Sequence, residues 1–156
     1  MRLLILSSDT GEGHNSAARA LAAAGMEAGF EVSLRKPLEE SAVLNRSLAS
    51  LYNLILTHRP ASMDLFFRTI GLLKPNEGGI FYAPVRGYIR RFLESEKPDA
   101  ILSVHPMLNH MIQRWIREHE AQIPCYTFIT DPFPPFWRGW ASPYIHRYFV
   151  LTEEAA

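Results

Sequence analysis

The chain has 156 residues, of which 47% are hydrophobic, a length and composition that fit one globular domain with a substantial core. Sixteen basic residues balance sixteen acidic ones, so bulk charge gives no reason to expect nucleic-acid binding. The single cysteine, Cys125, excludes an internal disulfide and fits a reducing compartment, and no apolar run approaches the length of a membrane span.

The first residues predict a strand that leads through a polar loop into a helix. A buried strand is predicted for residues 2–7, a tight loop for residues 8–16 and an alanine-rich helix for residues 17–28. Gly11 and Gly13 let a ligand approach the main chain, where the unpaired amides and positive dipole end of the helix face it. This arrangement is typical of phosphate binding.

His14 stands at the predicted start of that helix. The positive end of the helix dipole disfavours a protonated imidazole, and a neutral histidine is what a general base must be. The position fits equally well a histidine that only helps to cap the helix or fills a gap beside the loop.

The segment from Gly11 to Ser16 also approximates a dinucleotide-binding fingerprint. That fingerprint requires an acidic residue at the end of the second strand, whereas the strand predicted at residues 30–34 is followed by Arg35 and Lys36. The pattern therefore argues against NAD and leaves an NADP-dependent enzyme as a remote alternative.

The middle of the chain is predicted to begin with a loop at residues 37–41 and a helix at residues 43–57, whose apolar stripe is typical of core packing. Residues 61–73 then crowd large apolar side chains, including Phe66 and Phe67, into a stretch too short to cross a bilayer. This stretch fits either a buried helix or a segment that lies in a membrane interface.

Residues 81–96 are predicted to form a helix with an apolar side and a basic flank. The flank consists of Arg86, Arg90 and Arg91. It fits contact with anionic lipid headgroups, and it also fits an ordinary solvated helix face.

Three further strands are predicted at residues 100–104, 124–129 and 147–151, with a helix at residues 107–119 after the first of them. Strands that alternate with helices predict an α/β fold, a Rossmann-like parallel sheet with helices on both faces.

Ligands bind beyond the carboxyl ends of the strands in such sheets. His14, His105 and Asp131 all fall at that edge, and their convergence is a stronger signal than any one of them. Each also has a purely structural alternative, since His105 fits a helix cap and Asp131 fits an anchor for the following loop.

The loop at residues 132–140 contains three prolines and four aromatic residues. Rigid exposed aromatics suit sugar stacking or a membrane surface, and a lid packed on the core fits equally well. Farther on, Thr152 followed by Glu153 and Glu154 predicts a helix start, and the chain stops two residues after Glu154, which indicates a shortened product.

The segment from Asp9 to Leu21 resembles the N-terminal motif of the monogalactosyldiacylglycerol synthase family, which includes processive diacylglycerol glucosyltransferases and is distantly related to the peptidoglycan glycosyltransferase MurG. The shared pattern is a small residue, Gly-x-Gly-His and a small-residue helix; the family often has a third glycine where this chain has Glu12. The segments Ser103 to Pro106 and Thr130 to Pro132 resemble the family as well.

The resemblance implies the N-terminal half of a GT-B fold. Residues 1–156 would form a single acceptor-binding domain, and the C-terminal nucleotide-sugar domain is absent from the chain, so the isolated chain is expected to be inactive. The implied activity is inverting transfer of galactose or glucose from a UDP-sugar to diacylglycerol, with no cofactor beyond that co-substrate. The implied location is cytoplasmic and peripheral, at the anionic inner face of the membrane.

The resemblance also implies roles for individual residues. His14 would be the catalytic base, and Asp131 would orient the acceptor or His14. The loop facing donor phosphates or anionic lipid comprises Thr10, Gly11, Glu12, Gly13 and Asn15. The expected acceptor-binding residues are His105, Pro106 and Trp137. The expected membrane contacts are Phe66, Phe67, Arg86, Arg90 and Arg91.

No metal-ligand spacing stands out in the sequence, and the pattern of His105 and His110 does not argue for one. A lipid-surface binding module without catalysis is the alternative to a glycosyltransferase. The presence of a nucleotide-sugar domain in the same gene product would distinguish the two.

Overall fold

The computed structural model describes residues 1–10, 12–41, 50, 53–54, 57–58, 79–133, 136–143 and 145–155. Within this part of the chain, five strands form one parallel sheet in the order β2-β1-β3-β4-β5. The strands are β1 (Arg2–Leu6), β2 (Glu31–Arg35), β3 (Ala100–Ser103), β4 (Cys125–Phe128) and β5 (Arg147–Phe149). The predicted α/β class with a parallel sheet is confirmed.

The main helices of the described chain connect these strands. They are α1 (Glu12–Glu27), α2 (Pro37–Ser41), α3 (Gly79–Glu96) and α4 (Pro106–Glu118), with short 3₁₀ turns at Arg138–Trp140 and Glu153–Ala155. Of the helix predicted at residues 43–57, residues 50, 53–54 and 57 are described and are helical. The rest of it, and the whole of residues 61–73, lie outside the described residues.

The side chains of β1 alternate between the two faces of the sheet, as strand geometry requires. Leu4 and Leu6 belong to a core that includes apolar residues of α3 and α4. Ile5 belongs to a second core, which it shares with Ala18 and Ala22 of α1. Helices therefore cover both faces, as predicted.

Small residues bring α1 close to the sheet. Ala18, Ala22 and Gly25 are the buried residues of the part of the helix that follows its first turn. A Cβ atom at Gly25 would lie 3.0 Å from Cγ2 of Val32 on β2, tighter than most real contacts. This close packing fixes the line of the helix axis and, with it, the position of the helix start.

Helix α4 follows its predicted pattern closely. Met111, Ile112, Trp115 and Ile116, predicted as its packing side, are all buried. The helix begins at Pro106, one residue earlier than predicted, because a proline at the first helical position has no amide to leave unpaired.

The start of α1 was predicted wrongly. Helix α1 begins at Glu12 rather than at residue 17, so Gly13 and His14 form its first turn instead of a loop. An acid in the first turn favours this early start because it complements the helix dipole. The helix start predicted at Thr152 and Glu153 corresponds to the short 3₁₀ turn Glu153–Ala155, and the Thr152 hydroxyl donates to the carbonyl oxygen of Pro132 at 2.9 Å.

The segment Pro37–Ser41 was predicted to be a loop but forms the short helix α2. Pro37 occupies its first position, where the fixed φ of proline suits a helix. The amide of Lys36 donates to Oε1 of Glu40 at 3.0 Å and so ties down the helix start. Five residues are too few for an apolar period to reveal such a helix.

The strand order places a topological switch point between β1 and β3. From β1 the chain passes through α1 to β2, which pairs with one edge of β1. It later returns to β3, which pairs with the other edge of β1. Loops that leave such a point in opposite directions open a crevice at the carboxyl ends of the strands. The residues that follow β1 and β3 line it.

Asn109 connects this edge of the sheet to the loop after β4. Its side chain is 2% exposed, and its Nδ2 donates to the carbonyl oxygen of Trp140 at 3.1 Å. Its Oδ1 accepts a hydrogen bond from Oγ1 of Thr127 at 3.2 Å. One amide thus joins α4, β4 and the 3₁₀ turn that ends at Trp140.

Replacing Asn109 with alanine is expected to lower the free energy of unfolding by about 2–3 kcal/mol, because two buried partners lose their hydrogen bonds. Urea denaturation measures this change. Gln122→Ala is the control, since Gln122 is exposed, and it is expected to stay within about 0.5 kcal/mol of wild type. Equal stabilities for the two variants would contradict the bridging role of Asn109.

Candidate functional site

Three strand ends bring together the polar residues that the sequence placed at this edge. The rings of His14 and His105 meet edge to face, with centroids 4.8 Å apart. Oγ1 of Thr130 lies 3.0 Å from Nδ1 of His14, although the two residues are 116 positions apart. The cluster combines α1, which follows β1, with the residues after β3 and β4.

The environment of His14 favours its neutral form. Burial lowers the pKa of His14, while a hydrogen bond to the backbone of Val104 and the charge of Asp131 act in the opposite direction. The net shift is downward from the ordinary value of 6.5, so the imidazole is neutral at neutral pH. A neutral imidazole retains one nitrogen lone pair that can accept a proton.

The surroundings of His105 favour its neutral form still more strongly than those of His14. Its side chain is 4% exposed, and burial, followed by the proximity of His14, keeps its pKa well below the ordinary value. Ser103 fixes its backbone: Oγ of Ser103 accepts from the His105 amide at 3.3 Å and donates to the His105 carbonyl at 3.0 Å. Two charged imidazoles at this separation would repel, so the pair holds at most one extra proton near neutral pH.

Asp131 is oriented by a buried tryptophan. Nε1 of Trp140 donates to Oδ2 of Asp131 at 2.7 Å, and the Trp140 ring lies 5.9 Å from the ring of His14. Asn109 holds the carbonyl oxygen of Trp140 from the other side. Asp131 is thereby fixed where its charge acts on His14.

The residues predicted to form an anion-binding loop have different surroundings in the structure. Thr10 belongs to the site, because its Oγ1 lies 2.6 Å from Nε2 of His105. The side chain of Asn15 makes hydrogen bonds within the protein: it accepts from Oγ of Ser7 at 3.3 Å and donates to Oδ1 of Asp9 at 3.1 Å. Gly11 lies outside the described residues.

Glu12 and Gly13 face outward at the start of α1. The Glu12 carboxylate pairs with Arg19 farther along the helix, and this pair lowers the pKa of Glu12. In the described part of the chain, no atom outside the neighbouring residues and the helix backbone lies within 4 Å of the position that a Cβ of Gly13 would occupy. The main chain at Gly13 is therefore open to a ligand.

The acceptor-side residues differ in exposure. Pro106 is buried at the start of α4, whereas Trp137 is half-buried. A Cβ atom at Gly139 would lie 2.1 Å from Cζ3 of Trp137, so the Trp137 ring occupies space that only a glycine leaves open. Sequence reasoning overlooked Gly139, although a glycine between two tryptophans was the available signal.

The three arginines predicted to contact membrane lie along α3. Nε of Arg86 is 3.1 Å from Oε2 of Glu118, and Nε of Arg90 is 3.0 Å from Oε1 of Glu94. Arg91 is exposed and has no ion pair among the described residues. Phe66 and Phe67 lie outside the part of the chain that the structure describes.

The basic residues after β2, on which the NADP alternative was based, are already paired with acids. Nε of Arg35 lies 3.5 Å from Glu40 and 3.4 Å from Glu96, and Nζ of Lys36 lies 2.5 Å from Oδ1 of Asp9. The pair with Lys36 lowers the pKa of Asp9. Among the described residues, no group of three or more His, Cys, Asp and Glu side chains is arranged to hold a metal ion.

No helix within the described ranges is both long and apolar enough to cross a bilayer. A comparison with protein families finds that the model for monogalactosyldiacylglycerol (MGDG) synthase matches residues 14–156, which is most of the chain. No sequence among functionally curated proteins matches.

Replacing Asp131 with asparagine is expected to lower the pKa of His14 further, because the substitution removes a charge that raises it. Asparagine retains an oxygen for the Trp140 N–H, so the loop geometry is expected to survive. An NMR titration of the His14 ring measures the shift. Asp99→Asn removes the same charge at the opposite edge of the sheet, and an equal shift in that control would contradict a local effect.

Proposed function

Because the chain belongs to the MGDG synthase family, a family of glycolipid glycosyltransferases, we propose that it is the acceptor-binding part of an inverting enzyme. The donor is a UDP-sugar carrying galactose or glucose, and the acceptor is the hydroxyl of diacylglycerol at a membrane surface. The proposal places the protein in the cytoplasm, peripheral to the inner face of the membrane.

The neutral His14 at the switch point is the observation that carries this proposal. A hydroxyl is a poor nucleophile until a base removes its proton, and the half-buried His14, with its lowered pKa, is available as that base. The Val104 carbonyl can only accept, so a His14 N–H donates to it and the other ring nitrogen keeps its lone pair.

The proposed step is a single displacement. The acceptor oxygen attacks the anomeric carbon of the sugar as its proton passes to His14, and the new carbon–oxygen bond forms on the face opposite the departing group. The bond to the phosphate oxygen breaks, and UDP leaves with the electron pair. Asp131 then stabilises the imidazolium, since its charge favours the protonated form of His14.

The remaining predicted residues have supporting roles in this proposal. His105 and Trp137 line the acceptor side, and Pro106 fixes the main chain that carries His105. The open main chain at Gly13 allows donor phosphate or a lipid headgroup to approach the amides at the start of α1. The proposed contacts with lipid are the basic flank of α3, together with Phe66 and Phe67.

Replacing His14 with alanine in the full-length protein is expected to reduce hexose transfer from UDP-sugar to diacylglycerol by roughly 10² to 10⁴, the usual contribution of a general base. The product is measured as labelled glycolipid in vesicles. His119→Ala makes the same change at an exposed position on the far end of α4 and is expected to keep wild-type rates. Wild-type turnover in His14→Ala would refute the assignment.

The same assay separates the glycosyltransferase from its alternative. A full-length protein that binds diacylglycerol vesicles and consumes no UDP-sugar would be a non-catalytic lipid-surface binding module.

Charge reversal at Arg91 is expected to weaken binding to anionic vesicles by on the order of tenfold, and binding of the wild type is expected to fall as salt rises. Arg91 is the informative position because Arg86 and Arg90 are already paired with acids. Vesicle sedimentation measures the affinity, with Arg147→Glu on the exposed strand β5 as the control for net charge. Equal losses in both variants would show that α3 is not the contact surface.

A further inference from the structure

A continuous series of side-chain hydrogen bonds links His105 to a carboxyl group on α2. Nε2 of His105 lies 2.6 Å from Oγ1 of Thr10, and the Thr10 hydroxyl donates to Oγ of Ser8 across 3.4 Å, the longest step. The Ser8 hydroxyl donates to Oε1 of Glu39 at 2.5 Å. The series therefore joins four residues: Ser8 and Thr10 from the loop after β1, Glu39 from α2, and His105, the N-cap of α4.

The far end of this series is a fixed acceptor. Glu39 is 6% exposed, and its Oε1 accepts a second hydrogen bond from the amide of Asp9 at 2.9 Å. Because Oε1 of Glu39 accepts hydrogen bonds from both Ser8 and Asp9, it fixes which group donates in each of the other hydrogen bonds of the series. Ser8 donates to Glu39, Thr10 donates to Ser8, and the only proton left for the last step belongs to His105.

The other nitrogen of His105 leads to the same assignment. Nδ1 is buried and has no hydrogen-bond partner among the described residues. A proton on Nδ1 would leave a buried donor unsatisfied, at a cost of about 1–3 kcal/mol. A proton on Nε2 meets Thr10 instead. Both arguments place the single ring proton on Nε2 and leave Nδ1 without one.

We propose that Glu39 is a positioning residue, which acts through Ser8 and Thr10 to hold the His105 proton on Nε2. His105 then stays neutral and fixed against the ring of His14, and His14 alone takes up the proton of the incoming hydroxyl. This role rests on the proposed function of His14 for its catalytic consequence. The hydrogen-bond series itself does not depend on the reaction.

The spectroscopic test uses the 156-residue chain with ¹⁵N-labelled histidine. Long-range ¹H–¹⁵N spectra distinguish a protonated ring nitrogen from a bare one. We expect His105 to carry its proton on Nε2 and to keep it there while His14 titrates. A proton on Nδ1 of wild-type His105 would overturn the proposal.

Three variants test the direction of the series. Glu39→Ala frees the Ser8 hydroxyl, so Ser8 and Thr10 can reverse and donate toward His105, and we expect the His105 proton to move to Nδ1. Glu39→Gln keeps an acceptor oxygen for Ser8 and is expected to restore Nε2. Thr10→Val removes the link while keeping the side-chain volume, and it is expected to abolish the preference for Nε2.

The matched control is Glu40→Gln on the same short helix. Glu40 is exposed, and glutamine keeps an oxygen that can accept from the Lys36 amide at the helix start, so the tautomer of His105 is expected to stay unchanged. If Glu39→Ala does not fold, Thr10→Val still tests the proposal at its other end. An unchanged tautomer in both folded variants would overturn it.

The catalytic consequence is measured separately in the full-length protein. Thr10→Val and Glu39→Ala are expected to lower kcat about tenfold, with KM little changed, since the base is misplaced rather than lost. Glu39→Gln is expected to recover most of the rate. If the His105 tautomer changes in these variants and kcat does not, the positioning role of Glu39 is refuted. If hexose transfer survives His14→Ala, the proposed function is refuted, but the tautomer result still stands.

Discussion

Buried polar groups at the carboxyl edge of β1 and β3 impose the strictest constraint on this structure. Ser7 and Ser8 are fully buried and Ser103 is nearly so, and buried hydroxyls and amides need partners inside the protein. Asn15 satisfies Ser7, Glu39 satisfies Ser8, and the backbone of His105 satisfies Ser103. The positions of α1, α2 and α4 relative to the sheet follow from these pairings as much as from apolar packing.

Much of the fold was predictable because its signals are local. Apolar runs marked the strands, and helical periodicity marked α4. The meeting of His14, His105 and Asp131 at one edge was also predictable, since carboxyl ends of parallel strands share an edge. Their catalytic and binding roles remain predictions.

The partners of these residues were not predictable. Thr10 meets His105 across 95 positions, and Thr130 meets His14 across 116, and no local pattern encodes such contacts. Glu39 was overlooked because its segment was predicted to be a loop. The five-residue helix that presents it is stabilised by a proline and a side-chain hydrogen bond rather than by an apolar stripe. Indirect roles of this kind depend on tertiary structure.

Two acidic side chains near the start of α1 are each paired with a basic side chain. Asp9 is paired with Lys36, and Glu12 is paired with Arg19. An anionic group that approaches this end of the helix therefore meets no uncompensated carboxylate from either residue. The third glycine often found in the family at the position of Glu12 is replaced here by an acid whose charge is balanced within the same helix.

The close contact between Gly25 and Val32 holds α1 at one point, so a small tilt of the helix about this contact produces a larger displacement at the helix start. Gly25 and His14 are eleven residues apart, which corresponds to about 16 Å along an α-helix. A tilt of roughly 3° about the Gly25 contact would move the imidazole by nearly 1 Å, enough to reduce a rate on the order of a hundredfold. The small residues on the buried side of α1 therefore determine the position of the His14 imidazole.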